Sequence, residues 1–498
     1  MKRKYSARLQ ASRRGKVLLL LVITLPALCG MIGLVIDGGL LICGSRELQH
    51  AADSAATAAA TEKRWGKTNA QALAVAEQFV HTHHGMSTVS VELHSPPTSG
   101  PNAGSADHIE IILTRQQTTF FMRILNGRSA ETISARAVAT CEASEIPAAI
   151  VVLDPGPPAF QVSALPPLLP PLPAILGGME VLGVGKVEVN GAVHVNTEWG
   201  GVDENNAVIG EPAGLLGLSH AVAATPLVSL SKLKARELRV VGGVDRLNNY
   251  GKLLGSDPPV LQAGRLPVPD PFRTLPVPTL ASDPTNVKAT MHGGRTIIGI
   301  PLIGPTITLQ PGVYDYIEVI SGKVVFQPGV YILRRTNPVT QMALKVLAGE
   351  VVADGVLFYI TDSPNYTPAS GAPDNTDGET AAPTSGLVGT LVPVAVINVG
   401  LLGSTFKGLN DPSSPYYGML IFQRRHDRRP IAIVQENILG AGAIQGTVYS
   451  KWGHTILVGK GDLDLRFVTG TMRIVALLDL DIRPTSFLPA AEDVYLVE

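Results

Sequence analysis

Charge is scarce in this 498-residue chain: Asp, Glu, Lys and Arg together make up 16%, against about a quarter in an ordinary soluble chain. That shortage excludes a coiled coil and excludes disorder driven by charge. A formal net charge of −1 argues against a basic nucleic-acid binder, so no nucleic-acid partner is expected. Three cysteines cannot build a disulfide framework. Aromatics are few, at 5%, whereas Gly (51) and Pro (38) abound and 45% of residues are hydrophobic.

The charge that exists is unevenly placed. Lys2, Arg3, Lys4, Arg8, Arg13, Arg14 and Lys16 open the chain without an acid among them. Val17–Ile36 follows, with Thr24 its only polar side chain. At about 1.5 Å per residue this run matches the hydrocarbon core of a bilayer. It is longer than a signal-peptide core, and no small-residue cleavage site follows it directly. Leu28 before Cys29 and Ile42 before Cys43 do not fit a lipoprotein box. Basic residues stay on the cytoplasmic side, so the expectation is a single-pass anchor with its N-terminus inside and everything after Asp37 outside. Pro26 is tolerated in such a helix. Asp37 stands where the helix leaves the membrane and reads as an interfacial carboxylate, or as a partner for a group within the membrane.

Beyond the anchor, Arg46–Thr61 is rich in Ala, which predicts that the helix continues outward as one long rod. Ala51, Ala52, Ala55, Ala56, Ala59 and Ala60 form a narrow strip open either to a second helix, giving an oligomer, or to the protein's own small domain. Arg13-Arg14-Gly15, the apolar run with Pro26, Val35-Ile36-Asp37-Gly38-Gly39 and Leu48-Gln49-His50-Ala51-Ala52-Asp53-Ser54-Ala55-Ala56 resemble the N-terminal region of TadG-like proteins of bacterial tight-adherence (Flp) pilus assembly systems. TadE-like minor pseudopilins share the layout. The likeness is strong over about residues 12–62 and weak on to about 144. It implies a noncatalytic envelope protein that supports pilus assembly, anchoring or adhesion. Its membrane-anchor and helix-packing residues would be Arg13, Arg14, Gly15, Pro26, Asp37, Leu48, Gln49, Ala52, Asp53 and Ala56. Prepilin-like substrates place an apolar residue after the cleaved glycine and a glutamate at the fifth position. Here Lys16 and Leu20 stand there, which argues against processing.

Residues 64–144 read as a small α+β segment. Gln71–His81 has helical spacing, Val89–Leu93 and His108–Leu113 alternate as strands, Thr118–Leu125 reads as helix and Thr132–Ala139 as a third strand. His81, His83 and His84 do not share one helix face and lack a carboxylate, so a solvated helix end is expected rather than a metal site. Cys141 is expected as a free thiol unless it reaches Cys43.

Proline then punctuates the chain. Pro155–Pro173 reads as a stiff spacer or a strap lying on the next domain. Asp257–Pro284 and Thr361–Ser385 read as long loops. From Gly177 onward short Val/Ile/Leu strands alternate with Gly, as in Lys186–Asn190, Val351–Ile360 and Val394–Val399. Gln310–Tyr314 returns as Gln327–Tyr331, and Asp462–Arg466 returns as Asp479–Arg483, both at an interval of 17. One interval for two unrelated pentapeptides predicts a rung length, hence a β-solenoid with apolar residues inside and Pro-Gly at corners. A right-handed parallel β-helix is favoured, with a β-sandwich as the alternative.

Alternation places Asp462, Asp464 and Arg466 on one strand face, with Asp479, Asp481 and Arg483 stacked beside them. Paired carboxylates of this kind could serve acid/base chemistry on polysaccharide, or bind calcium with an arginine for a sugar acid. Opposed to that is a solvent-facing ladder of compensating charges. Aromatic platforms for sugars are thin nearby, and the ladder is preferred. Arg424, Arg425, His426, Asp427, Arg428 and Arg429 read as a solvated basic turn.

The expectation is therefore mainly β: a basic arm (1–16), a transmembrane helix (17–43), an extracytoplasmic helix with a small α+β domain (44–146), a Pro-rich linker or strap (147–176) and a β-solenoid (177–498). The expected role is a single-pass component of the bacterial inner membrane, noncatalytic and without a cofactor. Its partners would be the membrane, pilus-assembly proteins or surface polysaccharide. The alternative is a membrane-tethered β-helix enzyme or binding module acting on polysaccharide.

Overall fold

A computed structural model describes residues 14–123, 127–158, 161–163, 177–212, 219–224, 231–253, 260–301, 303–371, 390–399, 403–435 and 442–497. The chain forms two units, Met1–Ala143 with Glu492–Glu498, and Ser144–Ala491. The second unit is thus inserted into the first.

In the first unit, helix α1 (Arg14–Arg64) runs unbroken for 51 residues through Pro26. Among the described residues it is the one helix long and apolar enough to cross a membrane. Helix α2 (Asn69–Gln78) starts at Thr68, whose hydroxyl accepts the Gln71 amide while the Gln71 side chain accepts the Thr68 amide. This reciprocal cap fixes the start. Strands β1 (Ser90–His94), β2 (His108–Thr118) and β3 (Ala130–Ala143) form an antiparallel sheet. The C-terminal strand Glu492–Leu496 pairs with β3 and completes it. The expected helix over Thr118–Leu125 is replaced by the end of β2 and a bend, with helical backbone only at Met122 and Arg123 among the described residues there. β2 runs longer because its register with β3 is unbroken from His108↔Thr140 to Thr118↔Ala130.

The second unit is a stack of coils, each contributing to three parallel columns of strands. In one column Ile297 pairs with Val319, then Val346, Ile397, Ile433 and Leu457 follow in register. In another, Leu309, Phe326, Ala353, Phe406 and Ile444 do the same. In the third, Tyr331 pairs with Phe358, which pairs with Ile421, which pairs with Val448. All of these side chains belong to one buried core, and each buried aliphatic side chain contributes roughly 1.5–3 kcal/mol relative to exposure. Among the described residues of this unit the ladders are parallel, apart from the small hairpin Gly201–Val202 with Val208–Ile209 and isolated antiparallel bridges such as Ala148 with Leu488 and Val202 with Val244, which defines a β-helix or solenoid-type fold. It excludes the antiparallel β-sandwich.

Two expected boundaries move. Ala148–Val152, expected within a linker, is a rung. Ile150 pairs with Phe467 on one side and with Val193 on the other. The chain therefore enters in the middle of the stack and builds outward through Leu238 to Leu261. It restarts at Met291 and builds back through Val313 and Ile332 until Met472–Ala476 closes on Met179–Gly183. The solenoid also ends before Glu492, because the last strand belongs to the small sheet. The interval of 17 is the rung register in one column, where Leu309 pairs with Phe326, but not in the next, where Gly312 pairs with Tyr331 at an offset of 19. What the repeat encodes is a local corner, in which Tyr314 and Tyr331 each donate their hydroxyl to the carbonyl of the Gln four residues earlier.

A restart at the far end needs a crossover, and the second Pro-rich run supplies it. Phe272, Leu275, Val277 and Leu280 lie on an outer apolar stripe that includes Val330, Tyr359, Phe422 and Tyr449. Proline leaves this strap few amides to satisfy, and its carbonyls accept from Tyr366 (2.6 Å to Pro278), Tyr416 (3.0 Å to Pro276) and Arg425 (2.6 Å to Leu275). Of the first Pro-rich run, Gln161–Val162 pairs with Thr390–Leu391; residues 159–160 and 164–176 lie outside the described residues, as do 372–389.

Candidate functional site

The resemblance residues of the first unit gather at the junction between α1 and its sheet. Leu48, Ala52 and Ala56 are fully buried, as are Ala51, Ala55, Ala59 and Ala60. They pack with Ala72, Ala76, Ile111, Ala135 and Ala137. Of the two uses open to the Ala strip, packing on the protein's own small domain is the one found, and the oligomer contact is not available on that face. Small side chains are required because helix and strands approach closely. Gln49 donates from Nε2 to Asp53 Oδ1 (2.8 Å) and to the carbonyl of Arg136 on β3 (3.0 Å). Asp53 therefore orients Gln49, and Gln49 ties helix to sheet. Arg115 on β2 meets Glu47 at 3.2 Å and the Gly44 carbonyl at 3.3 Å.

Asp37 is buried, so it is not a carboxylate reaching out to water. Its oxygens accept the backbone amides of Phe120 (2.9 Å), Phe121 (2.7 Å) and Met122 (2.5 Å). One turn earlier, a β-carbon at Gly33 would lie 2.4 Å from Phe121 Cγ. Gly33 and Asp37 thus form a seat for the connection between β2 and β3. Sequence reasoning missed the seat, although a glycine four residues before the acid marks one helix face. Pro26 lies within the helix, as do Arg14 and Gly15 at its start, while Arg13 lies outside the described residues.

Away from the helix, Glu110 is held by the Thr98 amide (2.9 Å), the Thr98 and Ser99 hydroxyls and Arg136 Nε (2.5 Å). Burial would raise its pKa, but these donors outweigh burial and hold it down at about 2. Cys141, Cys29 and Cys43 are free. Cys141 donates to the Ala60 carbonyl, and burial, with Glu492 nearby, pushes its pKa up to about 11. His81 meets the Val89 carbonyl and His83 packs on Phe79. Among the described residues no group of three or more His, Cys, Asp or Glu is arranged to hold a metal ion.

In the solenoid, alternation is as expected: Leu463, Leu465, Leu480 and Ile482 point inward. The acidic and basic residues between them divide into separate sets. Arg483 meets Asp481 (2.8 Å) and Asp462 (3.6 Å), and Asp479 meets Lys186 (3.6 Å). Asp464 and Arg466 instead line a groove of about 330 Å³ together with Asp354, Lys407, Tyr417 and Gln445. Asp464 accepts from Gln445 (2.7 Å) and the Thr485 amide (2.7 Å). Arg466 donates to Thr447 Oγ1 and to the Phe487 carbonyl (2.9 Å). The basic turn is not solvated: Arg425 and Arg428 are buried. Arg428 pairs with Asp154 at 2.9 Å, and Arg429 with Asp427 at 2.6 Å and Asp362 at 2.7 Å. The turn carries charge because it locks neighbouring rungs.

Compared with known proteins, residues 15–62 match the family model described as Flp pilus-assembly TadE/G-like. No curated protein and no solved structure matches the chain at a significant level.

Proposed function

With a TadE/G-like Flp pilus-assembly segment at its N-terminus, we propose that the chain is a single-pass component of the bacterial inner membrane, N-terminus inside, that presents a β-solenoid outside the cytoplasm. Its role on this reading is anchoring or adhesion in pilus assembly, without catalysis. The observation that carries it is α1 itself, an apolar run long enough to span a bilayer continuing without a break into the Gln49/Asp53 segment that holds the small sheet. The noncatalytic reading is supported by Asp464, whose oxygens are engaged by Gln445 and Thr485.

Alkaline extraction of membranes from cells expressing the full chain is the first test: the protein should stay in the pellet, and protease added outside the inner membrane should digest the solenoid. Recovery in the soluble fraction would overturn the anchor. Deletion of residues 145–490, which spares both halves of the small unit, should abolish pilus assembly or adhesion. The groove beside Tyr417 favours a second reading, a binding module for polysaccharide. Binding of a surface glycan lost on Arg466→Ala would support it.

A further inference from the structure

The seat on α1 lies inside the apolar run. Gly33 precedes Ile36, the last residue of the Val17–Ile36 run, by three positions, or about 4.5 Å at 1.5 Å per residue. Phe121 nevertheless rests directly on it, and Asp37, one residue past the run, holds the amides of Phe120, Phe121 and Met122. A connection between two strands has thus been brought down to the level where the helix is still apolar. In lipid an unpaired backbone amide costs several kcal/mol, and three successive amides here are satisfied by a single buried carboxylate. The side chain left over is Phe120, 67% exposed, followed by the exposed Arg123. An exposed aromatic ring with a long cation three residues further along suits the boundary between acyl chains and phosphates, where the ring is buried and the cation reaches the headgroups.

We propose that Phe120–Met122, at the start of the β2–β3 connection, is seated in the bilayer that α1 crosses, with Phe120 inserted at the headgroup–acyl boundary and Asp37 positioning it. The small unit would then grip the membrane at two points, the helix and this wedge, which fixes its height and tilt. The proposal rests on the reading of α1 as a membrane anchor and commits to a lipid surface rather than a protein partner.

The test uses the full chain reconstituted in phosphatidylcholine–phosphatidylglycerol vesicles, wild type against Phe120→Trp, with the three native tryptophans as common background. The extra emission of Phe120→Trp should be blue-shifted, lost to lipids brominated at carbons 6 and 7, and shielded from iodide. Glu92→Trp is the aqueous control. Its register partner Ile112 lies six residues from Thr118, about 20 Å along the strand, so its emission should be lost to iodide. If the wild type floats with the vesicles but Trp emission from position 120 behaves like that from position 92, the wedge is wrong and the anchor stands. If the wild type fails to float, the anchor reading falls and the wedge with it. A Phe120→Ser chain that folds and floats, yet sits with its sheet equally shielded from added protease, would also overturn the proposal.

Discussion

Asp37 accepts the amide of Phe121 at 2.7 Å across 84 residues of sequence. The bond joins the mouth of the apolar helix to the far end of a β-hairpin, and the neighbouring amides of Phe120 and Met122 share the same carboxylate. Asp37→Ala leaves three donors without their acceptor. Since one unsatisfied buried group already costs about 1–3 kcal/mol, the variant should lose roughly 3 kcal/mol in the first unit. Limited proteolysis of detergent-solubilised protein should show cleavage in the β2–β3 connection that the wild type resists.

Glycines along the helix should not be equivalent. A methyl group at Gly33 would meet both Phe121 Cγ (2.4 Å) and Phe121 Cβ (2.5 Å), whereas nothing lies within 4 Å of one at Gly38. Because Cβ moves only with its backbone, Gly33→Ala should displace Phe121 at an overpacking cost of about 1–3 kcal/mol. Gly38→Ala should be neutral. Paired thermal melts in the same detergent distinguish them.

The seam of the solenoid should be sensitive to a broken pair. Arg473 Nε donates to Glu180 Oε2 across 293 residues, and both side chains are 1% exposed. Arg473→Met removes a charged donor from the buried Glu180 carboxylate, and a cost of about 3–5 kcal/mol is expected. Replacing both, Arg473→Met with Glu180→Leu, should recover most of it, since the two charges of the pair leave the interior together. Chemical denaturation of the two variants against wild type measures the difference.

Acid should act on the first unit through Glu110. Its pKa falls from the ordinary 4.5 to about 2 on folding. A depressed carboxyl contributes stability that is fully present above the unfolded pKa and lost as pH falls through the folded one. Melting temperature should therefore decline as pH drops from about 4.5 towards 2. Glu110→Gln should start lower at neutral pH and decline less over that window.

Cys141 should resist alkylation at pH 8 and react only as pH approaches its raised pKa of about 11, because the thiolate is the reacting species. Mass spectrometry after a pH-stepped iodoacetamide pulse reads this directly.

Much of the molecule was legible in the residues. The apolar run, the Ala strip and the alternation of Leu463, Leu465, Leu480 and Ile482 each state a local period that maps onto one face of a helix or strand. Partner choice was not legible. Asp464 and Arg466 sit in the same strand as Asp462 yet line a groove with Lys407 and Tyr417, and Arg428 reads as a surface charge until Asp154 is found beside it. A side chain's chemistry is carried by its type, but its neighbours across 274 residues are set by the stack.

By itself the sequence determined that there is a membrane-length helix, a short α+β segment and a long run of solenoid coils. Only the tertiary structure decided the axial order of those coils, with Ala148–Val152 held between the rungs of Phe467 and Val193, and the strap of Phe272–Leu280 joining the two ends. The reason is that backbone ladders are nearly blind to sequence. Any coil can hydrogen-bond to any other, so adjacency is chosen by long-range packing and buried pairs such as Glu180 with Arg473, which no local periodicity records.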